Sequence, residues 1–167
     1  MEQTDYAWVA GLVEGDGYVG IVRLSRRRQM KSPHFQIQMG ITNTELALVK
    51  RTQEILGGYI RTAKAKNTRQ GFVYRWMTSS AQMLPSLEKI VPYMVGRKGK
   101  IAEKVITFQK DTQRIFRDRI NMKRKRGWFI PLPAEEVKRR EKLWEEIKIL
   151  NEGEYGIKPR RKKDSPS

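Results

Sequence analysis

WVAGLVEGDGY, residues 8–18, begins as a small, apolar helix and ends in two carboxylates, Glu14 and Asp16, set among glycines. A helix C-terminus already carries roughly half a negative charge, so an acid there is disfavoured by about 0.3–1 kcal/mol unless a cation offsets it. Ala7, Gly11 and Gly15 recur every four residues, which lays a flat stripe on one helix face and lets a second backbone come close. No matching stripe occurs elsewhere in the chain, so the expected partner is the same helix of a second copy, in a two-fold homodimer. The two Asp16 side chains then converge, and hard divalent ions such as Mg2+ suit paired carboxylates with free helix carbonyls. The plainer reading is a capped core helix whose two acids face water in a Gly-Asp-Gly turn.

Outward from this stretch the chain alternates in period. Thr4 or Asp5 caps a helix over residues 4–14, and residues 17–28 are β-branched and then arginine-rich. HFQIQMGIT (34–42) sets Phe35, Ile37, Met39 and Ile41 against His34, Gln36, Gln38 and Thr42, the period of a half-buried strand. TELALVKRTQEILGG (44–58) reads as an amphipathic helix capped by Thr44 and stopped by Gly57-Gly58. Strands are expected at 59–66 and 72–78 around the turn NTRQG, then helices at 79–91, from about Lys98 to Gln113, and at 134–151. The order predicts an α+β fold: an αββαββα core with one antiparallel four-stranded sheet, plus C-terminal helices. One domain is expected over 1–152, with its core at about 4–112 and an extra helical region at 113–152; residues 153–167 read as a basic, disordered tail.

Composition narrows the chemistry. The 167 residues hold 35 Lys+Arg against 18 Asp+Glu, a net charge of +17, and such single-sign charge points to a polyanionic partner, nucleic acid above all. No cysteine and a single histidine, His34, argue against a disulfide framework, a thiolate site and zinc chemistry. With no secretory signal and no apolar run long enough for a bilayer, an intracellular protein without a membrane partner is expected.

The nine residues VAGLVEGDG (9–17) resemble the signature of the LAGLIDADG homing endonucleases, with Ala10, Gly11, Leu12, Asp16 and Gly17 identical to it and Glu14 in place of its first acid. The resemblance covers about residues 4–112 and is to the single-motif members, which work as homodimers on nearly palindromic DNA. It implies that Asp16 is the metal-binding catalytic residue, with the Gly15 carbonyl joining the coordination of Mg2+ or another divalent ion such as Mn2+. It places Glu14, with Ala7 and Gly11, at the dimer interface, and Asn43, with Thr42 or Thr44 nearby, where a polar residue positions water. It also implies a lysine after the third helix that stabilises charge on the scissile phosphate: Lys98, with Arg97 and Lys100 as rivals. Ala47 stands where some members carry an arginine.

The sheet's polar outer face suits a DNA major groove, where base edges show a full donor and acceptor code. His34, Gln36 and Gln38 are its expected readers from the second strand, with Tyr59, Arg61, Lys64 and Lys66 from the third. On the fourth strand the resemblance favours Tyr74 and Trp76, while polarity favours Arg75. Arg23 shares the inward face of Val19 and Ile21 unless a bulge intervenes, and Arg26, Arg27 and Arg28 reach phosphate or base in either register. Between Arg97 and Arg126 there are 12 Lys/Arg against three acids, so Lys123, Arg124, Lys125 and Arg126 are expected on phosphate. Double-stranded DNA is the expected target. The alternatives are an RNA-binding intron maturase on the same fold and a non-catalytic basic DNA-binding protein.

Overall fold

The computed structural model describes residues 2–24, 33–65, 68–69, 71–78, 80–121 and 132–152. Five helices, α1 (Gln3–Asp16), α2 (Leu46–Leu56), α3 (Ser80–Ile90), α4 (Arg97–Asn121) and α5 (Ala134–Glu152), alternate with four strands, β1 (Gly17–Leu24), β2 (His34–Asn43), β3 (Tyr59–Lys64) and β4 (Phe72–Met77). The strands form one antiparallel sheet in the order β1-β2-β4-β3. This is the expected α+β arrangement, with α4 running further than the expected end at Gln113. Residues 25–32, with Arg26, Arg27 and Arg28, lie outside the described residues, as do Lys66, Lys123, Arg124, Lys125, Arg126 and the 153–167 tail.

Strand β2 keeps the alternation of its sequence. Phe35, Ile37, Met39 and Ile41 are buried, with Val19 and Ile21 of β1 paired beside Met39 and Ile37. Val9, Ala10 and Val13 of α1, Val49 and Ile55 of α2, Leu87 of α3 and Val105 of α4 cover them in one hydrophobic core. The opposite face of the sheet bears His34, Gln36 and Gln38, exposed or half-buried.

Two helix starts differ from expectation. Asp5 sits one turn inside α1 and accepts the Glu2 N–H at 3.2 Å, and Glu45 rather than Thr44 takes the cap position of α2, accepting from the Ala47 amide. Gly57, at φ 71°, ends α2 as its position in the sequence suggests.

Trp76 corrects the sequence reading. Its indole is fully buried and donates from Nε1 to the Gly57 carbonyl at 2.8 Å, so it anchors the end of α2 and does not reach the outer face. Trp76→Phe opens a cavity and leaves the Gly57 carbonyl without that donor, so it is expected to cost about 2–4 kcal/mol in urea unfolding.

Helix α5 closes the sheet on its β1 side. Arg140, 5% exposed, holds Glu136 at 2.6 Å and lies over the Phe108 ring of α4. Arg139 bridges Glu136 and Asp111 of α4 at 2.8 and 2.9 Å. Burial would raise the Glu136 pKa, but hydrogen bonds from Arg139 and Arg140, with their charges, bring it below the ordinary carboxylate value. A carboxylate pKa lowered by folding adds stability above the unfolded value of about 4.3, and loses it as pH falls through the folded one. The protection of α5 amides, measured against their intrinsic exchange rate, is therefore expected to fall as pH drops through the folded Glu136 pKa, with Glu136→Gln removing that acid step.

Candidate active site

Helix α1 has two working sides. Val9, Ala10 and Val13 face the core, while Ala7, Gly11 and Gly15 lie exposed on the opposite side. A Cβ added at Gly11 or Gly15 would meet nothing within 4 Å, so neither glycine is required by packing within one chain.

At the C-terminal end of α1 the chain turns directly into β1 through Gly17. A Cβ there would lie 2.7 Å from the Val13 Cα and 3.1 Å from the Gly40 carbonyl oxygen, so only glycine passes between helix and sheet. That tight junction leaves Asp16 exposed at the edge of the core. The Asn43 side chain donates from Nδ2 to Asp16 Oδ2 at 2.7 Å, and its Oδ1 accepts the Glu45 amide at 2.7 Å. Asn43 is thereby oriented from both ends, by the acid it bonds and by the first turn of α2.

The carbonyls at the end of α1 have a partner from α4. Lys98 Nζ donates to Val13 O at 3.0 Å, Glu14 O at 2.8 Å and Gly15 O at 3.1 Å. All three ammonium protons are used, and the cation sits where the helix ends negative. Burial, reinforced by neighbouring Arg97, holds the Lys98 pKa below the ordinary lysine value against the pull of Glu14 and Asp16. Of the three candidate cations Lys98 alone turns inward, and Arg97 and Lys100 are exposed.

Glu14 returns the contact. Its Oε1 accepts the Gly96 and Gly99 amides at 3.0 and 3.1 Å, two of the unpaired donors at the start of α4. A Cβ at Gly96 would press to 2.6 Å from the Glu14 carboxylate. The expected interface acid thus spends this oxygen inside its own chain, and the Gly96 and Gly99 amides belong to a contact that sequence reasoning missed. Its partners lie more than eighty residues apart, with no local pattern to announce them.

The outer face of the sheet gathers exposed His34, Arg61 and Arg75 with half-buried Gln36, Gln38 and Tyr59. Arg61 lies over the Tyr59 ring at 4.9 Å. Tyr18, absent from the sequence reading, joins them at 39% exposure; burial raises its pKa, while the charge of Arg75 opposes the rise. The parity of Tyr18 with Gly20 and Val22 was the signal that could have found it.

Three other expected readers lie elsewhere. Tyr74 is on the Trp76 side, half-buried and edge-to-face with Phe72 at 5.5 Å. Lys64 is the register partner of Phe72 and so belongs to that same side, at the exposed end of β3. Arg23 opposes buried Phe35, pairs with Glu141 at 3.0 Å and lies over the Trp144 ring. No bulge turns Arg23 outward, because the β1–β2 register runs unbroken from Gly17 to Leu24.

No protein-family model and no curated protein matches this chain. Among solved structures, the homing endonuclease I-CvuI in complex with its target in the presence of calcium aligns at a TM-score of 0.52 and 22% identity, over 84% of this chain and 95% of that one. I-CvuI on another target with magnesium, its DNA not cleaved, aligns at 0.53 and 20% identity, over 88% and 96%. The meganuclease I-SmaMI bound to uncleavable DNA aligns at 0.51 and 17% identity, over 70% of this chain and 41% of that chain. The chain has the LAGLIDADG homing-endonuclease fold, and the VAGLVEGDG stretch lies on the helix that delivers Asp16 to the site.

Proposed function

We propose that this chain is a site-specific double-strand DNA endonuclease of the intron-encoded homing type, working as a homodimer on a long pseudo-palindromic site. The observation that carries the reading is the junction of α1 with β1: an exposed Asp16, oriented by Asn43, at the end of a sheet whose outer face is polar and basic. The exposed Ala7, Gly11 and Gly15 stripe supports pairing of α1 with its copy, which brings two Asp16 side chains to one place on the two-fold axis.

The donor set fits a hard divalent ion in kind. The Asp16 carboxylate is an oxygen ligand of the sort Mg2+ or Mn2+ takes, and the Gly15 carbonyl, which already accepts from Lys98 at 3.1 Å, has a second lone pair to offer. Among the described residues no three acids or histidines cluster, so one chain supplies only part of a coordination shell. Asp16 of a second copy and a DNA phosphate would supply more. When bound, such an ion activates water and stabilises charge on the phosphate.

The chain's own residues do the rest. Asn43 fixes the rotamer of Asp16 and leaves its other oxygen open. Lys98 neutralises the end of α1 and stands next to the place where phosphate charge develops. The outer face of the sheet holds the duplex in the major groove, which sets both active sites across the minor groove for cuts that leave short 3′ overhangs.

The test is selection of cleaved duplexes from a randomised pseudo-palindromic library with Mg2+. Enrichment of a two-fold site with staggered ends is the expected result. Failure to cut any duplex, with retention of a structured intron RNA, would favour a maturase on the same fold. Sequence-indifferent retention of duplex without cutting would leave a basic DNA-binding protein.

A further inference from the structure

The outer face of the sheet is graded along its length. Register partners cross it in rows, and Thr42, Arg75 and Arg61 make one row. Gly40, Met77 and Tyr59 make the next. Beyond these, β2 carries Gln38 opposite Gly20 and Gln36 opposite Val22. Two guanidiniums therefore occupy one end, two amides the other, and a waist without charge lies between them.

The arginine row is costly as it stands. Like charges placed directly across two strands destabilise the pairing, and Arg61 and Arg75 are cross-strand partners. Arg23, Arg51, Arg139 and Arg140 each hold a carboxylate, whereas among the described residues neither Arg61 nor Arg75 has an ion pair. Arg61 lies over the Tyr59 ring instead, and the charge of Arg75 acts on Tyr18. Two exposed guanidiniums in one cross-strand row, with no carboxylate paired to either among the described residues, suit a ligand that presents two acceptor pairs.

We propose, resting on the endonuclease reading, that the sheet reads a half-site of fixed polarity, with guanines against Arg61 and Arg75 and adenines against Gln38 and Gln36. An arginine fork matches guanine O6 and N7, and a glutamine amide matches adenine N6 and N7. The polarity follows from the chain. Thr42 in the arginine row immediately precedes Asn43, which bonds Asp16, so the guanine end adjoins the site of cleavage. Gln38 and Gln36 stand further back along β2. At roughly 3.4 Å per strand residue and a similar rise per base pair in B-DNA, they fall about four and six base-pair steps outward. The waist of Gly40, Met77 and Tyr59 offers no bidentate group, so the pairs between are weakly selected.

The test is selection of bound duplexes from a randomised library in calcium, comparing the wild-type chain with Arg75→Gln and Gln38→Arg. The wild type is expected to enrich guanine next to the centre, with adenine about four and six steps outward. Arg75→Gln should reduce the inner guanine preference about tenfold to a hundredfold and leave the outer adenines unchanged. Gln38→Arg should convert its adenine to guanine. An Arg75→Gln protein that binds every sequence equally less well, with a shallower salt dependence, makes Arg75 a phosphate contact and overturns the proposal. A site with adenine inside and guanine outside overturns it too. A wild type that enriches no duplex overturns the endonuclease reading beneath it, a result distinct from either.

Discussion

Asp16→Asn is expected to abolish cleavage while leaving the protein folded and bound to its site. The substitution keeps the shape of the side chain and an oxygen that can still accept from Asn43, which now bonds Asp16 at 2.7 Å. Asp16 is exposed at the end of α1, so no core contact is lost. What disappears is the negative charge that, in the proposed endonuclease, holds a divalent cation. Metal stabilisation of the transition state is worth several kcal/mol, which at 1.36 kcal/mol per decade is about a thousandfold or more in rate. Single-turnover cleavage of a selected duplex measures this beside the binding constant in calcium. Equal loss of binding and cutting would mean that Asp16 holds the fold or the DNA, and would sink the catalytic assignment.

The second large effect concerns stability and the joint between α1 and α4. Lys98 caps three carbonyls at the end of one helix, while Glu14 caps two amides at the start of the other. Each charge also lies at the dipole end that favours it. Hydrogen bonds to charged groups contribute about 1.5–3 kcal/mol, so Lys98→Met is expected to cost about 2–4 kcal/mol once water has rehydrated part of the helix end. Glu14→Gln keeps an acceptor and is expected to cost less. The two sites are in contact, so the double variant should lose measurably less than the sum of the singles. Urea unfolding of the four proteins closes that cycle; strict additivity would mean that the two caps act independently.

Legibility in the sequence followed locality. Strand β2 could be read residue by residue, because its period and its burial are the same fact viewed twice. Gly57 could be read as a helix stop from its position alone. The α1 motif placed Asp16, Gly17 and the exposed stripe, since tight junctions leave glycines and a free helix face leaves small residues. Trp76 was misread because β4 carries large side chains on both faces, and the deciding partner, the Gly57 carbonyl, lies nineteen residues away. Arg23 was misplaced for the same reason: its partner Glu141 comes from α5, 118 residues later. The role of Lys98 was only half legible. Its closeness to the site could be expected, but the three carbonyls it bonds belong to a helix end that only the assembled fold brings to it.

Helix α5 has a consequence for the chain as a polymer among its copies. Strand β1 ends the sheet on one side, and Asn151 of α5 donates to the Val19 carbonyl at 3.3 Å while Ile147 packs beside Gly20. An uncovered strand of eight residues rich in valine and isoleucine would template cross-β stacking. The clasp of α5 removes that template, and the opposite margin, β3, is shorter and carries Arg61 and Lys64 as gatekeepers. The same helix, which lies outside the αββαββα core, thus makes an open four-stranded sheet tolerable at high protein concentration, because growth of the sheet sideways into fibrils is blocked on one margin and repelled on the other.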